Sequence, residues 1–478
     1  MIIWPRNLEV NMKILLGCML LASSFAFADS HDEAHKPKSF VSSGRKIVFV
    51  NYKEVTYNIT YDINRGRAHA VATMRFNATE QGFPVFDSLA KPTSVTLNGK
   101  AVRHSEVKTP SRETEVRIPN QEVPVGDHLM TVEVPLSYAN YGGGGVPANF
   151  GGGAVRSAFW NSDINNRGLL ERYLPTNFEF DRIKMKFIVN IVGAKVPHSI
   201  FTNGVQKEIA PNVYEIDFPK YFTSSSIYFH VTPTNAMKVL NFNIDSKFGN
   251  KIPTTIYTLN NANSDQELAA FKAQTIKIIN ELENDYGKYP HPNLVIYAQS
   301  PNGGGGMEYA GAAVTSLSAL GHELIHSYFG RGVMPANGNA GWIDEAIATW
   351  RDRGYPNFTE LNFQTRMGNM AYYTRWTDVN AYDYGSRFIG YLNHKLGDIK
   401  PFLADLVAND KFKPLFTEEF VSRMEAFYGK SFKEEFKHFV QNDRDIIPRS
   451  RRGILKEQYV PVHPIHKPLS DQELFNLL

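Results

Sequence analysis

Residues 303–350 read GGGGMEYAGAAVTSLSALGHELIHSYFGRGVMPANGNAGWIDEAIATW. Within this stretch His322-Glu323-Leu324-Ile325-His326 sets two histidines four residues apart. On a helix that spacing puts both imidazoles on one face, within reach of a single metal ion, with Glu323 beside them. The glycines and asparagines up to Asn339 mark a break, and the residues after it predict a second helix carrying Glu345. Eighteen residues separate His326 from Glu345, enough for one helix to finish, the chain to reverse and a second helix to return its carboxylate. Two imidazoles and one carboxylate leave a tetrahedral zinc with one open position for water, the arrangement of a catalytic rather than a structural site. An amphipathic helix with two chance histidines would leave the third acid at this spacing unexplained.

At these residues the chain resembles the zinc aminopeptidases typified by aminopeptidase N and leukotriene hydrolase, which belong to the gluzincins. That family has G-x-M-E-N, then HExxH, then eighteen residues, then a glutamate inside W-x-N-E. This chain has Gly305-Gly306-Met307-Glu308-Tyr309, the HExxH, and Trp342-Ile343-Asp344-Glu345. Tyr309 and Asp344 each stand where the family has Asn, and the interval from Glu308 to His322 is short for the family. Weaker matches occur in the family's order: Glu171-Arg172-Tyr173-Leu174-Pro175-Thr176, Phe201-Thr202-Asn203-Gly204, Tyr286-Gly287-Lys288-Tyr289-Pro290, and Tyr382-Asp383-Tyr384-Gly385, where the family has Y-E-K-G.

The resemblance implies an all-β, saddle-like N-terminal domain followed by a thermolysin-like α+β catalytic domain, in a short form without the large helical C-terminal domain. It implies one zinc per chain on His322, His326 and Glu345, with Glu323 as general base and Tyr382 as the donor to the oxyanion. Gly305, Gly306, Met307 and Glu308 would bind substrate, the glycines admitting an extended peptide and Glu308 pairing with its free α-ammonium. A second ammonium partner is expected from the N-terminal domain, near Asn166, with Asp163 and Glu171 as nearby acids. The expected activity is release of N-terminal residues from peptides. A zinc endopeptidase on the same scaffold and a catalytically inactive peptide-binding protein are the alternatives.

Composition is consistent with that reading. A chain of 478 residues with 42% hydrophobic and 13% aromatic content has material for two or three globular domains with large cores. A formal net charge of +3 without an extended basic stripe excludes nucleic acid as an expected partner. Residues 1–28 read as a signal peptide: Met12-Lys13, a short apolar run, then Ala26-Phe27-Ala28, too short to span a bilayer. The single cysteine, Cys18, lies inside it, so thiolate ligands are excluded, and a lipid-anchored Cys18 is the alternative. Export to the periplasm or beyond is therefore expected. Oligomeric state is not readable from the residues.

Along the chain, residues 29–44 read as a polar linker; its His31-Asp32-Glu33-Ala34-His35 imitates a metal motif without an apolar helix face behind it. Residues 45–236 carry strand signals, including the alternation Val55, Tyr57, Ile59, Tyr61 and the hairpin dipeptide Asn98-Gly99. The glycine-rich segment 141–153 reads either as a surface loop or as a wall of the site. Residues 237–442 mix strands with helices, among them one opened by the capping box Ser264-Asp265-Gln266-Glu267 and closed at Gly287. Residues 443–478 read as a tail.

Overall fold

The computed structural model describes residues 30–112, 114–136, 146–162, 168–301, 305–374 and 376–442. The leader with Cys18, the Asp163 to Asn166 segment, Gly303, residues 141–145 and the 443–478 tail lie outside the described residues.

The alternation of Asn51–Asp62 decides the first unit. Val55, Tyr57, Ile59 and Tyr61 are fully buried while Lys53 and Asn58 face solvent, so one face of the strand is core and the other is surface. This strand pairs antiparallel with Arg67–Ala78 and parallel with Lys184–Val192, at the centre of an eight-stranded sheet. At one edge of that sheet Asn98 (φ 49°) and Gly99 (φ 78°) make the tight turn between Ser94–Leu97 and Lys100–Ala101, both central residues in the positive-φ region such a turn requires. A four-stranded sheet includes Val146–Gly151 and Ala154–Phe159, so part of the glycine-rich segment is a hairpin rather than a loop. Among the described residues, 45–236 hold strands and two short 3₁₀ turns, with no α-helix.

The second unit starts at Met237. Its five-stranded sheet runs Met237–Asp245, Lys251–Leu259, Leu294–Ala298, Ala312–Thr315, Gly306–Tyr309, which leaves Gly306–Tyr309 as an edge strand. The helix Asp265–Tyr286 starts where Ser264 and Glu267 cap each other's backbone N–H groups and stops at Gly287, whose φ of 94° suits glycine. Its buried face, Leu268, Phe271, Ile278 and Leu282, joins Leu320, Leu324, Ile347 and Phe388 in one core. A third apolar cluster straddles both units: Trp160, Phe201 and Tyr228 pack with Tyr257, Tyr297, Met307 and Tyr309, and the Phe201 and Tyr257 rings stack 3.6 Å apart.

The edge strand is also fastened to the first unit by hydrogen bonds. Asn161 N–H donates to the Tyr309 hydroxyl (2.9 Å), Ala310 N–H to the Ser226 carbonyl (3.1 Å), and Asn203 Nδ2 to the carbonyls of Ser226 (2.7 Å) and Ala310 (2.8 Å). The tyrosine at position 309, one of the two departures from the family pattern, thus serves the junction between units.

Residues 29–44, expected as a linker, instead carry a helix, Ser30–His35, and a strand, Phe40–Ser42, paired with Arg45–Val48. Polar composition was the basis for the expectation, and here the polar groups have partners. Arg182 Nε donates to Asp32 Oδ1 (2.7 Å), and His35 Nε2 lies 2.7 Å from Glu419 Oε2 in the second unit. Among the described residues no helix is long and apolar enough to cross a membrane.

Candidate metal centre

The HExxH segment folds as a short helix, Leu320–Ile325, with His326 closing it at still-helical angles. Leu320, Leu324 and Ile325 face the core, and this turns His322, Glu323 and His326 the other way. Trp342–Asp352 is the second helix and presents Glu345 to the same place. All three groups are buried, and His322, His326 and Glu345 bring one ligand atom each within 4.8 Å of one another. His322 Nε2 is 3.0 Å and His326 Nε2 3.6 Å from the same oxygen, Glu345 Oε2.

The outer nitrogens fix the tautomers. His322 Nδ1 donates to Asp352 Oδ2 at 2.7 Å and His326 Nδ1 to the Phe329 carbonyl at 3.2 Å, since neither oxygen can donate. Each ring therefore turns Nε2 toward Glu345, and His326 Nε2 is buried there with no hydrogen-bond partner. A buried orphan nitrogen beside a second imidazole and a carboxylate is the donor set a divalent cation such as zinc completes, so the residues fit the ion.

Electrostatics agree. Burial alone would lower His322, but its hydrogen bonds to Asp352 and Glu345 hold it up at about 10. Burial would likewise lower His326, and the charges of Glu308 and Glu345 outweigh it. Glu345 is held below the ordinary carboxylate range by the two imidazoles, against its burial. The field of this cluster favours positive charge, and a divalent cation would enter by displacing protons.

Glu323 lies at the same centre. Burial pushes its carboxyl up to about 8, with Glu308 and Glu345 adding to the rise and the imidazoles opposing it. Gly306 is what admits it: a Cβ built on Gly306 would sit 2.5 Å from the Glu323 carboxylate. Tyr382 lies in a π-helical turn, Ala381–Gly385, at the head of the helix Ser386–Leu396. Its hydroxyl donates to Glu345 Oε1 at 2.7 Å, and its ring stacks on His322. Tyr384 packs on Phe363 instead.

Met307 is buried in the cluster that joins the units, and Gly305 turns the chain with φ 83° before the edge strand. Glu308 is 4% exposed and already has a partner: Arg331 Nη2 donates to Glu308 Oε1 at 2.7 Å. Glu308, His326 and Asp344 form a second group of closely spaced ligand atoms, but that guanidinium already supplies positive charge to it. Glu171, one of the acids expected to help bind an ammonium, is fully buried and accepts the Leu169 N–H.

These features sit on a recognisable framework. No protein-family model matches the sequence, and no curated protein is similar to it. Solved structures are similar in three dimensions. An M1 zinc metallopeptidase from Deinococcus radiodurans is 16% identical and aligns over 80% of this chain and 91% of its own, with a TM-score of 0.57. The two-domain fold is that of the M1 zinc metallopeptidases. A variant of the M1 metallopeptidase from Deinococcus radiodurans bound to the substrate Tyr-Ser-Ala gives the same TM-score, 0.57, at 16% identity, over 80% of this chain and 91% of that one. Leukotriene A4 hydrolase from Saccharomyces cerevisiae is 14% identical, with a TM-score of 0.59 over 80% of this chain and 65% of its own.

Within this M1 fold the structure adds residues that the sequence reading missed. Asp352 lies seven residues after Glu345 on one helix, two turns along the same face, so its support of His322 had a legible signal. Arg331 had only a faint one, a lone charge between glycines in an apolar stretch. Its contacts with Ser225 and Glu179 of the first unit had none.

Proposed function

We propose that the protein is an exported zinc metallopeptidase that releases N-terminal residues from peptides, with a saddle-like β unit forming one wall of the site and a thermolysin-like unit holding the metal. The observation that carries this reading is the orphaned Nε2 of His326, aimed with His322 at Glu345 while both outer nitrogens are committed elsewhere. Export is inferred from the charged, apolar and small-residue order of residues 1–28.

Zinc held by His322, His326 and Glu345 supplies, when bound, a Lewis acid for water and for the scissile carbonyl. Glu323 removes the proton from the attacking water and returns it to the leaving amine, a role supported by its burial between His322 and His326 at the ligand set. Tyr382, whose hydroxyl rests against the ligand set, is the donor assigned to the developing oxyanion. The edge strand Gly306–Tyr309 receives an extended peptide as an added strand, with Glu308 assigned to its amino end.

One zinc per chain is expected, because Arg331 already answers the charge of the second acidic group. The same pair favours a second reading, an endopeptidase that needs no ammonium anchor. Metal analysis with turnover of free and N-blocked amino-acid amides decides between them. Glu323→Gln should keep one zinc and lose most of kcat, whereas normal turnover by that variant or by chelated protein would refute the reading. Efficient internal cleavage of blocked peptides would favour the endopeptidase.

A further inference from the structure

The Glu308 anchor does not stand alone. Arg331 follows the HExxH helix at a sharp turn: Gly330 has φ 109°, and a Cβ there would sit 2.6 Å from Asp344 Oδ2. That turn places a guanidinium, 2% exposed, between two carboxylates and a hydroxyl from different units. Nη2 donates to Glu308 Oε1 at 2.7 Å, Nη1 donates to Ser225 Oγ at 2.7 Å, and Nη1 lies 3.7 Å from Glu179 Oε1. Ser225 and Glu179 belong to the first unit, so the guanidinium bridges the junction beside the edge strand.

We propose that Arg331 is a specificity-determining residue that weakens the hold of Glu308 on a substrate α-ammonium. This rests on the aminopeptidase reading above. With Oε1 occupied by the guanidinium, one oxygen of Glu308 remains for the substrate, and an ammonium bound there has a like charge a few ångströms away in a buried setting. Glu179 offsets part of that charge, so Glu308, Arg331 and Glu179 together keep one net negative charge. The amino end is therefore recognised, but loosely, and peptides whose terminal amine is absent or uncharged lose less than a bare carboxylate anchor would impose.

The test compares a panel of amino-acid anilides with their des-amino analogues, such as leucine anilide against isocaproic anilide. The readout is the ratio of kcat/KM for each pair, with zinc content and thermal stability checked for every variant. Arg331→Gln should raise the ratio by at least about tenfold, through KM, because a like charge at this range and an effective dielectric near 20 is worth more than that factor. Arg331→Lys should restore a ratio near wild type. Glu179→Gln, which leaves the guanidinium less well offset, should lower it. An unchanged ratio in Arg331→Gln overturns the proposal; if that variant does not fold, an unchanged ratio in Glu179→Gln does so. A purely structural arginine would lower stability or kcat for both members of a pair alike and leave the ratio where it was. A wild type that hydrolyses neither member of any pair overturns the aminopeptidase reading and this proposal with it, whereas an active wild type with an insensitive ratio overturns only the proposal.

Discussion

Gly306→Ala separates the metal from the base while leaving both side chains in the sequence. The added Cβ would lie 2.5 Å from the Glu323 carboxylate carbon and Oε1, whereas ordinary carbon contacts begin near about 3.5 Å. About 1 Å must therefore be absorbed, by the carboxylate or by the edge strand. The strand is held by its pairing with Ala312–Thr315 and by the bonds at Tyr309 and Ala310, so Glu323 is the part that yields. Misplacing a catalytic group by about 1 Å costs on the order of a hundredfold, or about 2.7 kcal/mol of transition-state stabilisation. Overpacking itself costs about 1–3 kcal/mol of stability, so turnover is measured well below the unfolding temperature. The expected result is a full zinc complement with kcat down about a hundredfold. In a Glu323→Gln background the same substitution should cost little more, because the function it disturbs is already gone. Wild-type kcat in zinc-loaded Gly306→Ala, or a second hundredfold loss on top of Glu323→Gln, would refute the reasoning.

Three further outcomes follow from the geometry. Asp352→Ala should weaken zinc binding by about tenfold to a hundredfold, measured by competition with a chelator, because His322 loses the acceptor that orients its ring. Tyr382→Phe should lower kcat by about a hundredfold to a thousandfold with little change in KM if its hydroxyl meets the oxyanion; an effect confined to zinc affinity would assign it to Glu345 alone. The His35 and Glu419 pair should make stability pH-dependent. Burial lowers His35, but Glu419 and the His31 carbonyl raise it above its ordinary value overall, while Glu419, despite its own burial, is lowered chiefly by His35. The His35 contribution is complete below about 6.5 and fades as pH rises through its folded value; the Glu419 contribution is present above about 4.5 and fades as pH falls through its folded value. The unfolding temperature of wild type relative to His35→Gln should therefore show its greatest advantage between those two values.

The meeting of His322, His326 and Glu345 was legible because its words are local. A four-residue histidine spacing and an acid on the next helix are fixed by helix geometry, and their neighbours needed only an apolar face to orient them. The capping box at Ser264 and the Asn98-Gly99 turn were readable for the same reason. Positions 30–42 were not, because polarity reports solvation preference and says nothing of Arg182 or Glu419 waiting elsewhere in the chain. Arg331 shows the same limit more sharply: Ser225 is 106 positions away, and no periodicity announces such a contact.

The fastening of the Tyr309–Ala310 turn to Asn161, Asn203 and Ser226 has a consequence for anyone cutting this protein into pieces. The first unit is not a detachable module. Removing it would strip hydrogen-bond partners from the backbone that lines the substrate strand and expose Met307, Tyr309 and Tyr257 to water at once. A truncated second unit would then keep His322, His326 and Glu345 and lose the ruler that spaces Gly306 from Glu323. Any motion that parts the two units would likewise pull on that strand, and with it on the spacing between Gly306 and Glu323.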